Sequence, residues 1–157
     1  MSDNVYLGNP NLKKANTAIE FTQEQILEFV KCKEDPVYFA NNYIKIVSLD
    51  EGLTQFHPYH FQEKLINNFH ENRFNICKMP RQTGKSTTVV SYLLHYAVFN
   101  DSVNIGILAN KAATARELLG RLQTAYENLP KWMQQGIIAW NKGSLELENG
   151  SKILAAS

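Results

Sequence analysis

Gly84, Lys85 and Ser86 stand together in the run Met79-Pro80-Arg81-Gln82-Thr83-Gly84-Lys85-Ser86-Thr87, and these residue types in this order can hold a phosphate. A tight glycine-bearing turn aims backbone N–H groups at an anion, and a helix that follows adds the positive end of its dipole. Lys85 would place a point charge on the β- and γ-phosphates, and the Ser86 hydroxyl would reach Mg²⁺. Gln82, Thr83 and Thr87 complete the candidate cradle. The usual loop reads G-x-x-x-x-G-K-[ST], and Met79 stands where its first glycine would be. Arg81 adds a cation inside the loop. Its guanidinium either swings onto a γ-phosphate from the same subunit or sits at the surface against a neighbouring acid; the residues leave both open. A bare Gly-Lys-Ser also occurs as a plain turn with a solvated lysine, so the flanks decide.

The flanks favour a nucleotide loop. Phe74-Asn75-Ile76-Cys77-Lys78 is short and apolar enough for a buried strand. From Thr88 to Phe99 the apolar residues at 89, 90, 93, 94, 97 and 98 recur at helical spacing. Val103 to Ala109 reads as a buried parallel strand, followed by a helix from about Ala112 to Asn128 with Ala115, Leu118, Leu119, Leu122 and Ala125 inward. The middle of the chain is therefore expected to be βαβα, with a right-handed crossover. Ligands of such sheets bind at the carboxyl ends of the strands, where the loop at 79–86 and the turn Asn110-Lys111 would both fall. Lys111 there is either a contact to a DNA phosphate or a solvated turn lysine. Upstream, a helix over Pro58–Asn72 stacks Phe61, Leu65 and Phe69 and carries Gln62. A glutamine amide can pair with the N6 and N7 edge of adenine, or simply face water from a helix.

The remaining segments support this centre. Residues 1–20 are polar, with a turn cluster at Gly8-Asn9-Pro10-Asn11, and are expected to form an extended arm. Thr22-Gln23-Glu24-Gln25 is a capping box, and Asp35-Pro36 is an N-cap followed by proline at the first helical position. The helices they start are aromatic-rich, as core packing requires. Ile44–Val47 is expected as a short strand, with a loop at Asp50-Glu51-Gly52. Short strands are expected at 137–140, 144–147 and 151–155, with Asn149-Gly150 as a two-residue hairpin turn.

With 157 residues, 44% hydrophobic and 20% charged, the chain can bury a core. A net charge of +1 excludes binding by a basic tail, so any nucleic acid must meet a local patch. Cys32 and Cys77 read as free thiols of a reducing compartment. No apolar run is long enough to span a bilayer. A P-loop ATPase also needs an aliphatic strand ending in an acid that holds Mg²⁺. Asp101 ends no such strand, and Glu146 and Glu148 lie in a hairpin. The sheet looks unfinished at the C-terminus, so a front part of a longer protein is expected.

Gln62, the run 80–87, Gly106-Ile107-Leu108-Ala109-Asn110-Lys111, Trp140-Asn141-Lys142-Gly143-Ser144 and the arm Asn9–Asn16 together resemble the large terminase subunit of tailed, myovirus-type bacteriophages. The likeness runs from about residue 7 to the end. Arg-Gln-x-Gly-Lys-[ST] is its most specific feature, and it accounts for Met79 because the family lacks the first glycine. The resemblance implies an α/β P-loop NTPase with a helicase-like (RecA-like) core and parallel sheet, incomplete at the C-terminus and preceded by an α-helical segment. It implies an arm over 1–20 and, over 21–157, the N-terminal part of an ATPase domain. It makes Gln62 the adenine reader, Arg81 a finger in cis, and Gly84, Lys85, Ser86 and Thr87 the phosphate and Mg²⁺ elements. Implied cofactors are ATP and Mg²⁺. Implied partners are double-stranded DNA, the portal protein, a small terminase subunit and further copies in a ring, acting in the host cytoplasm and transiently at the procapsid portal, without a membrane or a place in the mature virion. The parent motor would package DNA and cut the concatemer with a nuclease domain; these residues alone would bind ATP with little turnover. Competing readings are another helicase-like translocase, or a non-hydrolysing interaction domain docking through the aromatic helices at 22–47.

Overall fold

A computed structural model describes residues 4–157; the first three residues of the expected arm lie outside it. Within that arm, residues 5–13 form a hairpin, β1 (Val5–Tyr6) against β2 (Asn9–Lys13). Its turn falls on Leu7 and Gly8, both at positive φ, so Asn9–Asn11 belong to a strand and not to the expected turn. The hairpin is docked. Leu12 is buried. The Gln134 amide accepts the Lys13 N–H and donates to the Asn11 carbonyl, both at 3.0 Å. Glu148 accepts from the N–H groups of Asn16 (2.8 Å) and Gly136 (2.9 Å) and pairs with the Lys13 ammonium at 3.4 Å. A side chain at Gly136 would put its Cβ 2.5 Å from Ala15 Cα, so this close approach requires glycine.

The helices begin where their caps place them. In α1 (Gln23–Glu34) the Thr22 hydroxyl accepts the Gln25 N–H while the Gln25 side chain accepts the Thr22 N–H. α2 (Pro36–Tyr43) starts on Asp35, whose carboxylate accepts from Val37 and Tyr38 at 3.0 Å. Glu28 ties the two helices, accepting from the hydroxyls of Tyr38 (2.6 Å) and Tyr43 (2.8 Å). A second hairpin, β3 (Lys45–Ser48) with β4 (Gly52–Gln55), leads into α3 (His60–Glu71). β4 had no signal in the sequence beyond the loop before it.

α4 (Lys85–Phe99) is the central helix. It packs against α2, α3 and α5 (Ala112–Glu127), burying Leu94, Ala97 and Val98. His95 on its buried side bonds the Cys32 carbonyl through Nε2 at 2.8 Å, and burial pushes its pKa down to about 4. The main sheet has the order β5 (Asn104–Leu108), β8 (Lys152–Ala156), β7 (Ser144–Leu147), β6 (Ile137–Trp140). β5 and β8 are parallel, with Ile105 beside Ile153; the other two pairings are antiparallel. The turn between β7 and β8 does fall at Asn149-Gly150, but only Gly150 has positive φ, and Leu147 N–H bonds the Ser151 carbonyl across it. It is therefore a longer, glycine-closed turn and not the two-residue form.

The strand expected at Phe74–Lys78 does not form. Phe74 is 83% and Ile76 101% exposed, and the segment joins no ladder. β5 pairs in parallel with β8 on one edge, and its other edge, where 74–78 would have paired, stays free among the described residues. A groove of about 720 Å³, lined among others by Asn75, Cys77, Asn104 and Ile105, separates 74–78 from the free edge of β5. Apolar residues become a strand only where a neighbouring strand takes their N–H and C=O groups, and 74–78 pairs with none. Cys77 is accordingly half-buried and not in a core; Cys32 is buried, and both are free thiols. Among the described residues no helix is long and apolar enough to cross a membrane.

Candidate functional site

The loop begins without a strand yet ends on a rigid helix. The far end of α4 is fixed by side chains from the β7–β8 turn. Asn149 Nδ2 donates to the carbonyls of Ala97 (2.9 Å), Asn100 (3.1 Å) and Val98 (3.4 Å), and Ser151 Oγ donates to Asn100 at 2.7 Å. Gln135 Nε2 adds a bond to Val98 at 3.2 Å. The near end is different. Gly84 is its N-cap in the left-handed conformation (φ 70°), and no side chain caps it. The first N–H groups of a helix have no partner within the helix, so those of α4 are available to a ligand.

The loop closes on itself. The Thr83 hydroxyl donates to the Pro80 carbonyl at 3.0 Å, the Lys85 ammonium folds back to the Met79 carbonyl at 3.3 Å, and Thr88 Oγ1 donates to Gly84 at 2.9 Å. Gln82 also takes a positive φ of 60°, an uncommon conformation for a residue with a side chain. At Gly84 a side chain is excluded twice: by its φ, and because a Cβ would lie 2.4 Å from Gln62 Nε2.

Gln82, Thr83, Gly84, Lys85, Ser86 and Thr87 line one cavity of about 240 Å³, together with Arg121 from α5. This volume is below the usual range for a whole small-molecule ligand. No carboxylate lines it, and neither Lys85 nor Arg81 forms an ion pair among the described residues.

Two residues singled out in the sequence stand apart from the cavity. Arg81 is exposed and does not line it. Gln62 is 3% exposed and lies behind the loop. Its Oε1 accepts the Tyr59 N–H at 2.8 Å and its Nε2 donates to the Thr83 carbonyl at 3.3 Å. The amide thus ties the start of α3 to the loop backbone, and it is neither an exposed helix glutamine nor free to pair with a base as it stands. Lys111 is exposed at the start of α5. Glu146 pairs with Lys152 at 3.3 Å, and Glu148 holds the N-terminal hairpin, so neither faces the loop. Among the described residues no group of three or more acids, histidines or cysteines gathers for a metal.

Arg121 carried no signal in the sequence. With Glu117 it reads as an ordinary i, i+4 surface pair, and only the packing of α5 on α4 brings it to the loop. Residues 76–157, just over half of the chain, match the family model described as terminase large subunit, T4likevirus-type, N-terminal.

Proposed function

We infer the function of this chain from its kinship: it belongs to the T4likevirus-type terminase large subunit family, whose role is phage DNA packaging. We propose that residues 21–157 are the N-terminal part of a P-loop ATPase domain with a RecA-like core, and that the loop at 79–87 holds the phosphates of ATP. The observation that carries this reading is the acid-free cavity at the open end of α4, lined by Gly84, Lys85, Ser86 and Thr87. Free helix N–H groups, a left-handed glycine and a lysine converge there, which is what a polyphosphate requires.

On this reading Lys85 exchanges its bond to Met79 for the β- and γ-phosphates. Thr83, Gly84 and Thr87 offer backbone donors. Ser86 lines the cavity beside Lys85 and fits one position of a Mg²⁺ shell, with phosphate oxygens and water supplying others. Mg²⁺ would neutralise charge on the phosphates. A carboxylate to share the metal is absent from the cavity, so turnover by this chain alone is expected to be low. Gln62 would reach adenine only by exchanging the Tyr59 N–H for the base, while Arg81 would have to turn inward from the rim to act as a finger. Double-stranded DNA, portal protein, small subunit and sister copies at the procapsid are the partners this reading entails.

The test is titration with a fluorescent ATP analogue. Saturable binding to the chain, weakened at least about tenfold by Lys85→Ala, is expected. Equal binding by the two proteins would remove the loop from the function.

A further inference from the structure

We propose that Arg121 is a second phosphate-binding cation of the loop cavity, held ready by Glu117; this rests on the nucleotide-loop reading above. Of the residues lining that cavity, Arg121 alone comes from outside the run 82–87. It stands on α5, an element that packs along α4, so its backbone is fixed relative to the loop. Its side chain is half-exposed and therefore free to turn. One nitrogen, Nη2, donates to Glu117 Oε1 at 2.8 Å; the guanidinium has further donors in a planar fork that matches two oxygens of a phosphate.

Charge supports the same assignment. Without Arg121 the cavity offers one side-chain cation, Lys85, to a ligand carrying several negative charges. Arg81 does not line it. Glu117, one turn back on α5, neutralises Arg121 while no anion is present and orients its fork. An exposed i, i+4 pair of this kind is weak, so it yields when a phosphate arrives. Arg121 thus meets the phosphate chain from α5, outside the loop, and favours the triphosphate over the monophosphate.

Fluorescent ATP and AMP analogues titrated onto the full chain test this. Arg121→Ala is expected to weaken the ATP analogue about tenfold and leave the AMP analogue nearly unchanged, at an unaltered melting temperature. Arg121→Lys should recover part of the loss. Arg121→Ala binding ATP as the parent does, while Lys85→Ala loses it, overturns the role of Arg121 and leaves the loop reading standing. Equal losses for both analogues reduce Arg121 to a structural residue and overturn it too. No binding by the parent chain, or none lost in Lys85→Ala, brings down both inferences.

Discussion

The two ends of α4 are finished in opposite ways. At the C-terminal end Asn149, Gln135 and Ser151, some forty to fifty residues on in the chain, take the carbonyls of Ala97, Val98 and Asn100. At the N-terminal end a left-handed glycine stands in the cap position, no side chain closes the helix, and a cavity lies over it. Backbone groups left over at a helix end must find partners. An end closed by remote side chains is a structural joint. An end left open inside a cradle with cations is a place for an anion. One helix thus carries the anchorage and the proposed site, and the anchorage ties that helix to the sheet.

The anchored end carries the largest expected loss of stability. Asn149→Ala removes the one amide NH₂ that three carbonyls at the end of α4 share, and the acceptor of the Ser151 N–H. A loss of about 3 kcal/mol in urea-melt stability is expected. Nucleotide affinity of the folded fraction should stay unchanged, and a loss of affinity equal to the loss of stability would mean that the two ends are not separable.

This anchorage also marks the limit of what could be read from the residues alone. The caps at Thr22 and Asp35, the periodic face of α4 and the apolar face of α5 were legible because each is decided within one turn of helix. Asn149-Gly150 was legible as a turn, yet the grip of Asn149 on α4 was not, because that depends on strands meeting a helix end far away in the chain. The strand at 74–78 failed for the same reason. Its composition suits a strand, but a strand is a relation to a neighbour, and the neighbouring edge of β5 lies across a groove. At the site, Gly84, Lys85 and Ser86 were legible by type and order. Gln62 was found for its amide, while its position behind the loop and the approach of Arg121 followed from helix packing.

The middle of α4 responds to acid. His95 is held neutral by burial, its pKa lowered from 6.5 to about 4, with nearby His70 adding to the shift and the Cys32 carbonyl and Asp35 opposing it. Below pH 6.5 the unfolded chain takes up a proton that the folded chain refuses, so stability falls between pH 6.5 and 4 and is flat above that window. Going from pH 7 to pH 5 should cost about 2 kcal/mol through this residue. His95→Phe should flatten the slope in pH-resolved urea melts, and an unchanged slope would assign it to other groups.

The open end should show the smallest change in stability and the greatest in binding. Gly84→Ala forces a side chain into φ 70° and against the Gln62 amide at 2.4 Å. It is expected to cost more than about 1 kcal/mol of stability while weakening the ATP analogue about tenfold or more. Full binding in this variant would show that the loop geometry described here is not the one that meets phosphate.

Backbone amide NMR of the full chain during titration with ATP and Mg²⁺ reports both ends of α4 at once. Large shifts are expected at the amides of Thr83 to Thr87, a smaller one at the Arg121 amide, and stationary amides from Ala97 to Asn100. Shifts absent from 83–87, or confined to the anchored end, would contradict the nucleotide-loop reading.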